Sequence, residues 1–211
     1  MQNYYSDQAL NNVVAFYEDK EYFERKETFL VIANCFRQEG IGWAVGCSMN
    51  LFFRGIVDDF HDLDLIADIK DVEQIEKIMK NLGAELIETG GNGFCESDVY
   101  MHYQLGRVDI DIISGFRMNT FGTTYKYQFC ESEIDIVEIQ NIKVPLLPLE
   151  AMYVLYYMME GWQPKRRFKR QIIEEYFVGN EIKHQEVLKK AIAEFELPGQ
   201  IRWAIRKLLK D

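Results

Sequence analysis

Long apolar runs are absent from the 211 residues: no stretch of about 18 or more uncharged apolar residues occurs, so no transmembrane helix is expected. The N-terminal segment Met1-Gln2-Asn3-Tyr4 also lacks the basic and then apolar layout of a secretory signal. The sequence contains no internal repeat and no low-complexity linker. These absences predict a cytoplasmic protein without a membrane partner.

Cysteine and histidine are scarce. The chain has four cysteines and three histidines, all widely spaced, with no CxxC pair and no histidine cluster that would complete a zinc site. His61 borders an acidic segment, but a structural role is the better expectation for it than metal binding. We expect reduced thiols at all four cysteine positions, which are Cys35, Cys47, Cys95 and Cys130.

Basic residues are few in the first 160 positions, which carry 12 Lys and Arg against 27 Asp and Glu, a net charge of −15. Residues 161 to 211 carry 12 basic and 7 acidic side chains, a net charge of +5. Nonspecific duplex binding depends on many surface Lys and Arg, so nucleic acid is not the expected partner, although a tRNA end is not excluded. The local basic segment could still hold one polyphosphate.

Hydrophobic periodicity divides the chain into three parts. Residues 6 to 38 predict two helices, and Gly40 ends the second one. Residues 41 to 145 predict a mixed α/β centre, in which Asp71 and Gln74 form a capping box at the start of a helix. The remainder is predicted to be helical, and its tyrosines at helical spacing are expected in the core or at its rim. The predicted apolar stripe of the first helix comprises Leu10, Val13, Val14 and Tyr17.

A short strand, a glycine turn and a helix are predicted at residues 43 to 53. Trp43-Ala44-Val45 is an apolar run that ends at Gly46, and Ser48 is the expected N-cap of the helix. A turn of this kind presents backbone N–H groups and a hydroxyl at a helix N-terminus, which favours phosphate. Taken alone, Gly-x-Ser is a weak signal.

Paired aspartates in a predicted strand are the most informative local feature. The segment from His61 to Ile69 alternates, so Asp62 and Asp64 lie on one face and apolar residues on the other. Two carboxylates on one face repel each other unless a cation lies between them, and oxygen ligands suit Mg²⁺. An isolated pair of this kind is more often a solvent-facing feature of an edge strand.

A second strand repeats the pattern. Val108 to Ser114 follows residues 100 to 105 after only Gly106-Arg107, which predicts a hairpin, and it carries Asp109 and Asp111 on one face. Because Asp is depleted in strands, two strands that each bear a pair predict that the pairs converge on one site.

These motifs resemble the nucleotidyltransferases of the DNA polymerase beta superfamily, most closely the small aminoglycoside and lincosamide nucleotidyltransferases. The resemblance covers about residues 40 to 170. It implies an α+β fold with a mixed β-sheet flanked by helices, a nucleotidyltransferase domain at residues 1–145 and a helical C-terminal domain at 146–211. It is carried by Trp43 to Gly55, His61 to Leu65, Gly106 to Asp111 and Lys143 to Glu150.

The resemblance also implies site residues. Two Mg²⁺ ions would be held by Asp62, Asp64 and a third carboxylate, for which Asp109 is the first choice and Asp111 the second. Either of these two would also draw the acceptor proton. The triphosphate co-substrate would be held by Gly46 and Ser48, with Lys165 or Arg166 neutralising charge. The sequence departs from the family pattern at Cys47, where the family has a second glycine, and in the acidic loop at residues 54 to 60. It also departs at residues 164 to 170, where relatives often have a helical lysine and then an Arg-Pro-Lys-Asp-like stretch.

The implied reaction is transfer of a nucleoside monophosphate from a nucleoside triphosphate to a hydroxyl of an acceptor. The acidic first part of the chain favours a cationic small molecule, aminoglycoside- or lincosamide-like, and an antibiotic-resistance role. Two alternatives stay open: a noncatalytic protein of this fold that binds nucleotide or a partner, and an antitoxin-like enzyme that modifies tRNA or protein. A homodimer is a further expectation.

Overall fold

A computed structural model describes residues 7–90, 96–120, 122–139 and 142–210. Within them lie the helices α1 (Asp7–Glu18), α2 (Phe23–Glu39), α3 (Cys47–Phe53), α4 (Val72–Asn81), α5 (Leu149–Glu160), α6 (Arg167–Gly179), α7 (Gln185–Glu194) and α8 (Gly199–Leu209). The strands are β1 (Trp43–Val45), β2 (Leu63–Ala67), β3 (Glu85–Thr89), β4 (Val99–Leu105), β5 (Val108–Ser114), β6 (Phe116–Thr120), β7 (Thr123–Tyr127), β8 (Asp135–Ile139) and β9 (Ile142–Leu146). In the described part of the chain, none of the helices has the length and apolar character that crossing a membrane requires.

Seven strands form one mixed sheet in the order β3-β4-β5-β2-β1-β9-β8. The pairs β2–β5 and β1–β9 are parallel, and the other neighbours are antiparallel. Strands β6 and β7 form a separate hairpin. The α+β class and the mixed sheet flanked by helices are therefore as the sequence predicts.

The sheet separates two hydrophobic cores because side chains alternate along each strand. Leu63 and Leu65 of β2 pack with α1, α2 and α4, whereas Ile66 packs with the C-terminal helices on the opposite face. Helix α5 is buried along most of its length and fills the second core. That core includes residues on both sides of position 145, and the division into domains at this position stays a prediction.

Helix α3, which begins at the glycine turn, is fixed by buried polar contacts. The Nδ2 atom of Asn50 donates to the carbonyl oxygens of Val45, at 2.9 Å, and Leu147, at 2.8 Å. Arg54 donates to Asn50 Oδ1 and pairs with Asp135, with an N–O separation of 2.8 Å for the latter. Although burial opposes it, the charge of Arg54 holds the pKa of Asp135 down at about 2. These contacts hold the turn against the ends of β1 and β9.

Substitution of Asn50 should therefore loosen the turn. We expect Asn50→Ala to lower the free energy of unfolding by about 2–4 kcal/mol, because it removes two buried hydrogen bonds to carbonyls and the acceptor of Arg54 Nε. Urea denaturation measures the change. The control is Asn34→Ala, which removes an exposed amide that contacts only Arg37 among its described partners. Equal stability of the two variants would contradict this account of α3.

Candidate active site

The aspartates of β2 and β5 lie side by side. The two strands are parallel, and their register places Asp64 directly opposite Asp111. Neighbouring strands are about 4.8 Å apart, so the two carboxylates share one face of the sheet at close range. Asp62 immediately precedes β2 and is exposed, and Asp109 lies two residues before Asp111 on β5.

Asp64 is in an environment that disfavours its charge. Burial raises its pKa to about 7, and repulsion from Asp111 and Asp62 adds to the effect. Lys169 and a hydrogen bond from the thiol of Cys47 oppose this rise. Among the described residues, the positive charge of Lys169 therefore offsets only part of the effect of burial and carboxylate repulsion on Asp64.

Asp111 has two partners on β4. Its Oδ1 atom lies 2.7 Å from Nδ1 of His102 and accepts a hydrogen bond of 3.2 Å from the hydroxyl of Tyr100. Burial raises the pKa of Asp111, whereas the contact with His102 lowers it. Burial alone would lower the pKa of His102. The hydrogen bond to Asp111 and the charge of Asp111 have a larger combined effect, so the pKa of His102 is raised.

Asp109 is placed differently from Asp111. Its carboxylate contacts Gln104, at 3.4 Å, and Nε2 of His102, at 3.6 Å, and 43% of its side chain is exposed. It is not among the residues that line the cavity at Asp64. The structure therefore brings Asp111, the second choice from the sequence, closer to Asp64 than Asp109.

The glycine turn contacts the backbone of Asp64. Gly46 is the N-cap of α3, in place of the predicted Ser48, and its N–H donates to the carbonyl oxygen of Asp64 at 2.8 Å. A Cβ at position 46 would lie 2.9 Å from Cγ1 of Ile66, so no larger residue fits without a shift. Cys47 follows with φ of 44°, a left-handed conformation that usually favours glycine.

Two basic residues from the C-terminal part reach the turn. Nζ of Lys169 donates to Oγ of Ser48 at 3.0 Å, and burial lowers the pKa of this lysine. Arg166 lines the cavity and donates to Gln163. Lys165 lies in a short 3₁₀ helix, and its side chain is outside the described residues. Lys169 is thus a site residue that the sequence analysis does not single out.

A cavity of about 240 Å³ opens between the sheet face and the turn that joins α5 to α6. One wall is acidic and contains Asp64, Asp111 and Glu88. The rest of the lining includes Gln163, Arg166 and a set of aromatic and apolar side chains, which are Ile113, Phe116, Met118, Met159 and Trp162. A larger cavity of about 790 Å³ lies between α6 and α8, away from the carboxylates.

Within the described ranges, no group of three or more His, Cys, Asp and Glu side chains is arranged closely enough to hold a metal ion. Mg²⁺ is nevertheless usually bound by one or two carboxylates together with substrate phosphates. Asp64 and Asp111 supply such a pair, and burial together with repulsion from Asp111 raises the pKa of Asp64, so a cation would favour its ionised form. The donor set therefore fits Mg²⁺ that arrives with a nucleotide.

Known proteins were compared with the chain by sequence and by structure. No protein-family model and no curated protein sequence matches it. A Thermotoga maritima protein provisionally designated a nucleotidyltransferase is similar in structure over 74% of this chain and 94% of its own, with 18% identity and a TM-score of 0.54.

The antibiotic-resistance factor ANT(2'')-Ia is similar in two solved structures. Its crystal structure with adenylyl-2"-tobramycin matches over 86% of this chain and 96% of its own, with 12% identity and a TM-score of 0.54. Its solution structure matches over 86% and 94%, with 14% identity and a TM-score of 0.53. At these identities the likeness concerns the fold, and the chain has the nucleotidyltransferase fold that its motifs predict.

Proposed function

We propose that this protein transfers a nucleoside monophosphate from a nucleoside triphosphate to a hydroxyl of a small-molecule acceptor. The observation that supports this most directly is the parallel register of Asp64 and Asp111, which line a cavity with Arg166, while Lys169 donates to Ser48 of the glycine turn. Negative charge for metal and positive charge for phosphate thus lie beside one cavity. The fold shared with nucleotidyltransferases agrees with this chemistry.

Each charged group has a role in this proposal. Asp62, Asp64 and Asp111 would hold Mg²⁺, which would supply charge neutralisation for the triphosphate. Ser48, Lys169 and Arg166 contact the β- and γ-phosphates, and Gly46 lets the backbone approach them. Lys165 remains the alternative cation from the sequence. Positioning and electrostatic stabilisation supply most of the rate enhancement, as expected for phosphoryl chemistry.

Asp111 is also the proposed base. Its pKa is raised by burial, which makes it a better proton acceptor than an exposed aspartate, and His102 and Tyr100 orient its carboxylate. Asp109 remains the alternative base. The acceptor hydroxyl would lose its proton to this carboxylate as its oxygen attacks the α-phosphate and pyrophosphate leaves.

The acceptor is proposed to be a cationic small molecule of the aminoglycoside or lincosamide type. Glu88, Asp64 and Asp111 make one wall of the cavity acidic, and the first 160 residues carry a net charge of −15. Positively charged groups would be attracted to such a wall. The adenylyl-tobramycin bound by ANT(2'')-Ia has the kind of acceptor that this wall suits.

A direct assay tests the proposed reaction. Pyrophosphate release from ATP, GTP, CTP and UTP is measured with and without Mg²⁺ across a panel of aminoglycosides and lincosamides. Asp62→Ala and Asp64→Ala serve as inactive controls. Unchanged release in both variants would refute the assignment. Calorimetry tests the noncatalytic alternative. That alternative predicts triphosphate binding that does not depend on Mg²⁺ and that no turnover follows.

Lys169 gives a specific prediction. We expect Lys169→Met to lower kcat/KM for the triphosphate about 100-fold, because a half-buried ammonium beside phosphate contributes on the order of 3 kcal/mol. Stability should not fall, because the substitution removes a buried charge that has no carboxylate partner in the described part of the chain. Steady-state kinetics and thermal denaturation measure the two effects.

The matched control for Lys169 is Arg167→Met on the same helix. Arg167 pairs with Glu160, and 64% of its side chain is exposed. The substitution removes the same formal charge two residues away, so it should change kcat/KM less than about 2-fold. Similar losses in the two variants would show that net charge, and not the position of Lys169, governs phosphate binding.

A further inference from the structure

A buried polar atom without a hydrogen-bond partner has a hydrogen-bonding capacity that the folded chain itself does not satisfy. Among the described residues, two buried side-chain atoms have no hydrogen-bond partner: Oγ of Ser114 and the hydroxyl of Tyr156. Such atoms are rare in native proteins because burying a hydroxyl without a partner costs free energy. Tyr156 lies in the middle of α5, and its side chain is fully buried.

The hydroxyl of Tyr156 lies near the phosphate end of the proposed site. Burial holds the pKa of Tyr156 well above its usual value, and the charges of Cys47 and Asp64 raise it further. The phenol therefore remains a hydrogen-bond donor at neutral pH. Cys47 and Asp64 both line the cavity, as does Arg166, whose charge also acts on this phenol.

The cations beside Tyr156 also lack anionic partners. Nζ of Lys169 lies 5.5 Å from the centre of the Tyr156 ring and donates to the neutral hydroxyl of Ser48. No carboxylate forms an ion pair with Lys169 or Arg166 in the portion of the chain that the structure describes. The unpartnered hydroxyl therefore belongs to a side chain whose neighbours include two cations, Lys169 against its ring and Arg166 through its charge, and hydroxyl and cationic donors together suit a polyphosphate.

We propose that the hydroxyl of Tyr156 is a further phosphate-binding group, donating to a terminal phosphate oxygen of the triphosphate or of the pyrophosphate product. This inference rests on the proposed function, whose phosphate site it completes. Lys169 lies over the ring of Tyr156, and its flexible side chain can leave Ser48 when an anion enters. The hydroxyl then gains the acceptor that the protein itself does not provide.

The test uses Tyr156→Phe and inorganic pyrophosphate with Mg²⁺, measured by isothermal titration calorimetry on the full chain. We expect pyrophosphate affinity to fall about ten-fold or more, as for loss of a hydrogen bond to a charged group. Without ligand, the Tm of Tyr156→Phe should equal or exceed that of the wild type, because the substitution removes an unpartnered buried hydroxyl.

Tyr153→Phe is the matched control, because Tyr153 is a fully buried tyrosine of the same helix with a partnered hydroxyl. That hydroxyl donates to Glu174 at 2.7 Å. Its removal should lower Tm and leave pyrophosphate affinity unchanged. Each variant is thus expected to lose only one of the two properties: Tyr156→Phe loses pyrophosphate affinity, and Tyr153→Phe loses thermal stability.

Each other outcome overturns a defined part of the proposal. Equal pyrophosphate affinity in Tyr156→Phe and wild type rejects the role of Tyr156 and leaves the proposed reaction standing. A loss of Tm as large as that of Tyr153→Phe shows that the hydroxyl serves packing and also rejects the role. If the wild type binds no pyrophosphate, the phosphate site itself is wrong, and both proposals fail.

Discussion

Asp64→Asn is expected to reduce nucleotidyl transfer by at least about 10³-fold while making the metal-free protein more stable. The loss follows from removal of a carboxylate at the centre of the proposed Mg²⁺ site, where charge stabilisation supplies several kcal/mol. The gain in stability follows because burial and the charge of Asp111 already disfavour ionised Asp64. Asparagine keeps the shape of the side chain and removes that charge.

The stability change should depend on pH in a defined direction. Burial raises the pKa of Asp64 to about 7 in the folded protein, against 3.8 for an unperturbed aspartate, so the folded state binds the proton more tightly. Wild-type stability therefore falls, relative to Asp64→Asn, as pH rises from about 4 to about 7. In EDTA at pH 8 the variant should be more stable by about 2–4 kcal/mol, and below pH about 4 the difference should vanish.

Urea denaturation across this pH range measures the stability, and pyrophosphate release measures the activity. Mg²⁺ with a nonhydrolysable triphosphate should raise the Tm of the wild type and leave that of Asp64→Asn nearly unchanged. Asp71→Asn is a suitable control, because Asp71 lies at the opposite end of the β2 region and accepts from the N–H of Gly42. A stable Asp64→Asn variant with wild-type activity would exclude metal-dependent transfer at this site.

The faces of the strands could be predicted from the sequence, whereas their register could not. Alternation along β2 and β5 assigns the aspartates to one face, and the structure confirms it. The choice between Asp109 and Asp111 depends on which residue of β5 lies opposite Asp64, and that register is set by packing between segments distant in sequence. Sequence pattern alone carries no information on it.

His102 is a site residue that the sequence analysis treats only as one of three dispersed histidines. The sequence does contain a signal for the position of His102, because the two-residue turn at Gly106-Arg107 fixes the β4–β5 register. Counting back from that turn pairs His102 with Asp111, as the structure shows. The same count, combined with alternation, places Tyr100 on the same face.

The buried side of a helix was less predictable, because a buried polar side chain can decide which side of the helix faces the core. The predicted stripe of α1 is right for Val13 and Tyr17, which pack against the core, and wrong for Leu10 and Val14, which are exposed. The buried positions include Asn12 and Phe16. The reason is that the amide of Asn12 donates to the carbonyl oxygens of Phe52 and Val57, which no count of apolar residues can indicate.

The predicted capping box is also wrong for a local reason, although Asp71 does occupy the N-cap position of α4. Asp71 and Gln74 do not form the capping box, because Asp71 accepts from Gly42 and Gln74 donates to Glu39.

Strand β9 is not among the predicted elements. It contains Pro145, a residue that is uncommon inside strands. Its position beside the short strand β1 depends on tertiary contacts.

Substitution of Asp111 and Asp109 in parallel separates the two choices for the third carboxylate. We expect Asp111→Asn to lower kcat/KM about 10³-fold, because the residue lies opposite Asp64 and lines the cavity. Asp109→Asn should lower it less than about 10-fold, because that carboxylate is 43% exposed and contacts Gln104 and His102. Both substitutions keep side-chain shape, and each removes one negative charge from the same strand.

The dependence of rate on Mg²⁺ concentration distinguishes a metal ligand from an orienting residue. Asp111→Asn should need more Mg²⁺ for half-maximal rate, whereas Asp109→Asn should keep the wild-type requirement. His102→Gln adds a third comparison, because loss of its contact with Asp111 should affect rate less than loss of Asp111 itself. A larger defect in Asp109→Asn than in Asp111→Asn would restore the choice that the sequence favours, and would require β5 to shift by two residues when nucleotide binds.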